Sequence, residues 1–282
     1  MNYIPDSLFM IFFSKQRILP ILFYCREQDN MTEIQHDGFY SRLSGNSPVA
    51  AVAIHAGSRI RSELQPYLLA DDFLRRSEED YGTSLLIESC PDIVILDDSR
   101  AEYDVNRPRE TALPLTADRF WGIQLYREIP PDEINRRTLA KYDYFRHFMA
   151  EYTASMVDKF GYCYVFDIHS FNPSRQAEKG LAPVPLFCVG TRNVPPRFRS
   201  KADQLIRQIR AIAVPGLTNH TLENCPFSGG DFGRSLVEHD DRVCVFSIET
   251  AKYYLDEKTQ LIDFGILQNI ARELSKIIRE WQ

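Results

Sequence analysis

The stretch "YCYVFDIHSFNP" (162–173) decides the fold. Tyr164, Val165, Phe166 and Ile168 are apolar or aromatic, one acid (Asp167) interrupts them, and the run closes on His169 and Ser170. A short apolar run of this kind reads as a strand buried on both faces, as in sheets covered by helices. Such a strand does not ordinarily collect an acid and an imidazole at its end, so the end calls for a function.

Similar runs lie on either side of it. "PVAAVAIHAG" (48–57), "DIVILDD" (92–98), "PLFCVGT" (185–191) and "RVCVFSIET" (242–250) all read as buried strands. Between them come segments with helical spacing at 63–90, 132–161, 199–214 and 264–281. In the longest, Leu139, Tyr142, Phe145, Phe148, Met149, Tyr152 and Met156 recur at helical intervals, and Gly161 provides the stop. The alternation predicts an α/β fold of three layers, with a mostly parallel central sheet flanked by helices. It predicts one domain over 46–282 behind an N-terminal extension, 1–45. In such sheets the ligand site lies beyond the carboxyl ends of the strands.

With 44% hydrophobic residues, the 282-residue chain can bury a sizeable core. The net charge is −6, the pI is about 5.6, and no basic patch recurs, which argues against nucleic acid as a partner. A small anionic substrate stays compatible, because local arginines override net charge. Six cysteines (Cys25, Cys90, Cys163, Cys188, Cys225 and Cys244) form no C-x-x-C pair and read as reduced thiols of a cytoplasmic protein. Near the start, "SLFMIFF" (7–13) and "ILPILFYC" (18–25) are separated by "SKQR" and broken by Pro20. Neither approaches the roughly 18–20 residues of a membrane span, and no cleavage site follows. Residues 1–30 are therefore expected to be an upstream extension, with Met31 opening the polar stretch "MTEIQHDG".

The chemistry gathers at the predicted strand ends. His55 and His169 close two separate strands, and neutral imidazole is the commonest zinc ligand. Each alone reads equally well as a structural histidine; together they suggest a metal. A catalytic zinc takes three protein ligands, and two histidines plus one carboxylate is a standard set. Glu79 and Asp80 in "RRSEEDYG" are the candidates for the carboxylate. Asp167 shares a strand face with His169, so it is placed to accept the second N–H of a bound histidine or to pair with an arginine. Glu249 ends "CVFSIE", where partial desolvation raises a carboxylate toward the range of a general base. Asp104, Asn106 and Arg107 in "SRAEYDVNRPRE" (99–110) offer a planar fork and amide donors for a carboxylate, or simply a solvated charged loop. Two successive glycines in "ENCPFSGGDFG" (223–233) suggest a close backbone approach or positive φ. The chain has no G-x-x-x-x-G-K-[ST], G-x-G-x-x-G or G-x-S-x-G, which weakens nucleotide-binding and serine-hydrolase readings.

The ordered set "AIHAGSRI" (53–60), "EEDYGTSLL" (78–86), "SRAEYDVNRP" (99–108), "FDIHSF" (166–171), "NCPFSGGDF" (224–232) and "FSIETAKYYLDE" (246–257) resembles the N-formylglutamate amidohydrolase family. The resemblance implies a phosphorylase/hydrolase-like fold related to the zinc carboxypeptidases, and hydrolysis of N-formyl-L-glutamate to formate and L-glutamate. It implies Zn2+, or another divalent metal, on His55, Asp80 and His169, with Glu79 as the competing third ligand. It implies Glu249 as general base, Asn106 and Arg107 on the substrate carboxylate, and Arg107 also among the catalytic groups. A dicarboxylate needs a second anchor, for which Arg192 and Arg59 are the candidates. Ile54 stands where the family's opening motif has proline. The competing readings are a carboxypeptidase-like peptidase, a deacylase of another acyl amino acid, or a non-catalytic binding module on the same fold.

Overall fold

The computed structural model describes residues 31–281. The two apolar N-terminal runs, and with them the reading of 1–30 as an extension, lie outside the described residues. In chain order the elements are β1 (Thr32–Gln35), β2 (Phe39–Leu43), β3 (Val49–Ala53), α1 (Asp72–Ser77), α2 (Thr83–Ile87), β4 (Ile93–Leu96), α3 (Asp132–Phe160), β5 (Cys163–Phe171), α4 (Pro173–Glu178), β6 (Phe187–Gly190), α5 (Arg199–Arg210), β7 (Thr221–Glu223), α6 (Asp231–His239), β8 (Val243–Ala251) and α7 (Phe264–Arg279).

The strands form one eight-stranded sheet in the order β1-β2-β4-β3-β5-β8-β6-β7. Its centre, β4-β3-β5-β8, is parallel, as expected of strands apolar on both faces. The flanks make the sheet mixed: β2 runs antiparallel to β4, and β6 antiparallel to β8. Because β1 and β2 belong to the sheet, it begins ahead of residue 46, the domain start suggested by the sequence. The polar pattern of 31–45 hides these strands, since β1 is an edge with little burial. Among the described residues no helix is long and apolar enough to cross a membrane.

Side chains alternate between two cores. Phe166 and Ile168 of β5 join Phe246 and Ile248 of β8 and Leu267, Ile270 and Leu274 of α7 on one face. Val165 and Val245 join Phe145 and Met149 of α3 and Phe232 and Leu236 of α6 on the other. Each such fully buried side chain stabilises the fold by roughly 1.5–3 kcal/mol relative to exposure. Strand periodicity puts Asp167, His169, Ser247 and Glu249 on the α3/α6 side, where the strands outrun the apolar layer.

Helix α3 starts after Pro131 with Asp132 and Glu133 in its first turn, where acids suit the helix dipole, and ends at Gly161 with φ 82°. The expected helix over 63–90 is broken into a 3-10 turn (Ser62–Tyr67) and the short α1 and α2. Pro66 lies in the first piece, and Gly82, at φ 96°, separates the other two. That break produces the 78–82 turn, which delivers an acid to the sheet's carboxyl end.

Candidate active site

Three parallel central strands supply the site at their carboxyl ends. His55 follows β3, His169 lies near the end of β5, and Glu249 is its register partner on β8. Asp80 arrives from the 78–82 turn, whose path is fixed by a hydrogen bond from the Asp80 backbone N–H to the His55 carbonyl, 3.0 Å.

His55, Asp80 and His169 are all buried, and one ligand atom from each converges on a common point. His55 Nδ1 lies 3.1 Å from His169 Nδ1. Asp80 Oδ2 lies 2.9 Å from His169 Nδ1 and 3.6 Å from His55 Nδ1. The outer ring nitrogens face carboxylates: His55 Nε2 is 2.8 Å from Asp104 Oδ1, and His169 Nε2 is 2.9 Å from Asp167 Oδ2. The second contact is close but bent, so it acts through charge more than through a straight hydrogen bond. Each carboxylate favours the tautomer with its proton on Nε2. Both Nδ1 lone pairs then point at each other and at a carboxylate oxygen. Three acceptors facing one another without a donor repel unless a cation or proton lies between them. Two zinc bonds of about 2.0–2.1 Å in a tetrahedral arrangement separate their ligand atoms by about 3.3–3.4 Å, and the observed spacings straddle that value. The residues present therefore fit a divalent metal, with carboxylates orienting both histidines from behind.

The electrostatics agree. Burial opposes an ionised Asp80, but its contacts with His169 and His55 outweigh burial and hold its pKa below the usual carboxylate range. Burial likewise opposes a charged His169, yet Asp167, Asp80 and Glu249 hold its pKa well above that of ordinary imidazole. Asp104 is held well below its ordinary value against burial, by Arg100 and His55. Glu249 is pushed up to about 8, chiefly by burial and further by the Asp80 and Asp167 carboxylates.

Of the two acids considered as third ligand, Asp80 faces the histidines. Glu79 turns away to Arg75 and Ser99. Asp167 backs His169 itself. Asp104 backs His55 and also accepts from Arg100 Nη2 (2.8 Å), from Arg107 Nε (3.4 Å) and from the Asn106 backbone (2.9 Å). Arg107 is half-buried at the mouth of the site. Asn106 Oδ1 accepts from the Phe232 N–H, 3.1 Å, which leaves its Nδ2 hydrogens for a ligand. The paired glycines are explained here: Gly229 has φ 109°, and Gly230 packs against the Asn106 side chain with no room for a Cβ. Arg59 is committed to Asp98, Nε to Oδ1 2.7 Å. Arg192 is exposed; its backbone N–H donates to Ser228, and among the described residues no side-chain contact links it to the histidines.

Sequence reasoning did not find Arg100, which lies within 3.5 Å of Asp80 and under the Trp121 ring, or Lys252, buried behind the Asp80 turn. Nor did it assign Asp104 to His55. These residues sit in polar loops whose sequence gives no spacing rule, and the contacts that bring them to the site, Arg100 with Asp80, Asp104 with His55 and Lys252 with Glu79, join residues remote along the chain.

The family model of N-formylglutamate amidohydrolase matches residues 47–255. No curated protein matches. Among solved structures, the N-formylglutamate amidohydrolase of Ralstonia eutropha JMP134 is similar with a TM-score of 0.68 and 18% identity, over 86% of this chain and 97% of that one. Gene product Atu2144 of Agrobacterium tumefaciens is similar with a TM-score of 0.61 and 22% identity, over 84% of this chain and 90% of that one. At these identities the two structures attest the fold, while the family match spans most of the sheet and every residue of the site. By that match the chain belongs to the N-formylglutamate amidohydrolase family.

Proposed function

We propose that the protein is a zinc-dependent amidohydrolase that cleaves an N-acyl amino acid, N-formyl-L-glutamate foremost, into formate and L-glutamate. The observation that carries the metal-dependent reading is the convergence of His55 Nδ1, His169 Nδ1 and Asp80 Oδ2 with carboxylates behind both rings. A divalent cation held by His55, Asp80 and His169 would supply Lewis acidity toward an amide carbonyl and a water molecule. Glu249 takes a proton from the attacking water and passes it to the leaving amine nitrogen as the formyl C–N bond breaks. Its raised pKa suits that exchange, and a neighbouring cation favours the ionised form that accepts the proton. Arg107 and the Asn106 amide hold the α-carboxylate of the substrate, a small anion. Arg192 is the proposed second anchor for the side-chain carboxylate of glutamate. Buried, unpaired Cys90, Cys163, Cys188 and Cys244 support a cytoplasmic setting for the reaction.

The test is elemental analysis of the purified protein followed by assay with N-formyl-L-glutamate and a panel of acyl amino acids. One equivalent of zinc and preferential formate release are expected. A protein that retains no divalent metal and binds the dicarboxylate without turnover would instead be a binding module. Faster cleavage of another acyl group would move the substrate assignment.

A further inference from the structure

We propose that Lys252 is a positioning residue of the metal site: its buried ammonium ties the end of β8, which carries Glu249, to the turn that carries Asp80. The inference rests on reading His55, Asp80 and His169 as metal ligands. Lys252 follows the last residue of β8, and its backbone N–H donates to the Phe171 carbonyl at the end of β5, 2.9 Å. The side chain is 1% exposed. Its Nζ donates to the carbonyl of Glu79, 2.6 Å, and to that of Ser77, 3.2 Å. Among the described residues it forms no ion pair. A buried ammonium satisfied only by carbonyls is a costly way to fill space that a methionine would fill, so an apolar packing role does not account for it.

Its position supplies the account. The Glu79 carbonyl belongs to the peptide unit that leads into Asp80, so the Nζ bond fixes the backbone from which the ligand carboxylate projects. Other contacts hold the same turn: Asn172 Nδ2 to the Ser77 carbonyl (2.9 Å), the Arg175 guanidinium on Glu78, and Asp80 N–H on the His55 carbonyl. Of these, only Lys252 comes from the strand that carries Glu249. It therefore sets the distance between the ligand acid and the base, and its charge sits on the protein side of Asp80.

Two readings on Lys252→Met test this. In the metal-free protein, amide hydrogen exchange at Asp80 should quicken at least tenfold, while the amides of Cys163–Phe171 keep their protection and report an intact fold. In chelator competition, zinc affinity should fall at least tenfold. If the Met variant does not fold, Lys252→Gln, one bond shorter and uncharged, is read the same way, with at least a threefold change in each. Unchanged zinc affinity overturns the proposal, even with faster exchange. Weaker zinc binding with unchanged Asp80 exchange also overturns it, because the turn would not be the route. A wild-type protein that binds no zinc would sink the metal reading instead, and the exchange arm alone would then decide whether Lys252 holds the turn.

Discussion

His169 stands directly opposite Glu249 in the parallel ladder of β5 and β8, so the ligand and the proposed base are fixed by a single register. A one-residue slip of either strand would turn that strand's side chain to the other face and part the pair. Long-range apolar pairing along the same two strands, Phe166 with Phe246 and Ile168 with Ile248, opposes that slip.

Glu249→Gln keeps the shape of the side chain and removes its basicity. Turnover should drop by about 10²–10⁴-fold, the usual contribution of a positioned general base. Zinc content should stay at the wild-type level, because Glu249 is not among the converging ligand atoms. Steady-state kinetics beside elemental analysis read both quantities, and undiminished turnover would remove Glu249 from the role of base.

His169→Ala deletes one of three ligand atoms and leaves Asp80 Oδ2 without its 2.9 Å partner. The variant should lose most of its zinc after dialysis against a weak chelator, and activity with it. Full zinc occupancy in the purified variant would exclude His169 as a ligand.

The central strands were legible because burial on both faces leaves a continuous apolar run, and the strand-end rule then drew attention to His55, His169 and Glu249. The edges were not, since β1 and β7 bury little and carry no such run. The Asp80 turn was legible as an acidic segment but not as a turn, because Leu85 and Leu86 continue the helical spacing past Gly82. Choosing Asp80 over Glu79 needed coordinates: adjacent residues point apart, and only the Arg75 and Ser99 contacts show which acid is already engaged. The part proposed for Arg192 was not legible from strand position, because it follows β6, which runs antiparallel to β8 with Gly190 opposite Ser247, so the rule of parallel strand ends does not apply to it.

Gly230→Ala tests the support of Asn106. A Cβ there meets Asn106 Oδ1 at 2.0 Å and Nδ2 at 2.4 Å, too close for the side chain to stay in place. Gly230 has extended backbone angles, so alanine is excluded by crowding rather than by conformation. KM for the carboxylate substrate should rise about 10–100-fold, equivalent to about 1.4–2.8 kcal/mol, with zinc content unchanged. An unaltered KM would show that Asn106 does not hold substrate.

A titration away from the site should govern part of the acid stability. His36 lies between β1 and β2, stacked on Phe39, with Nε2 3.0 Å from Ser41 Oγ and Nδ1 2.9 Å from the Tyr144 hydroxyl. Burial lowers its pKa from 6.5 to about 4. The unfolded chain therefore binds the proton first as pH falls, so the folded state is favoured by a neutral ring above about pH 6.5. That contribution declines as pH falls from 6.5 and is gone below about 4. With solvent near the ring discounted, its size is on the order of 1–2 kcal/mol. His36→Gln removes the titration, so its stability relative to wild type should improve steadily between pH 6.5 and 4.5. Urea midpoints measured across that window for both proteins read the difference. Parallel curves would mean that the ring is protonated as readily in the folded state as in the unfolded chain, and that the contacts with Ser41 and Tyr144 do not hold it neutral.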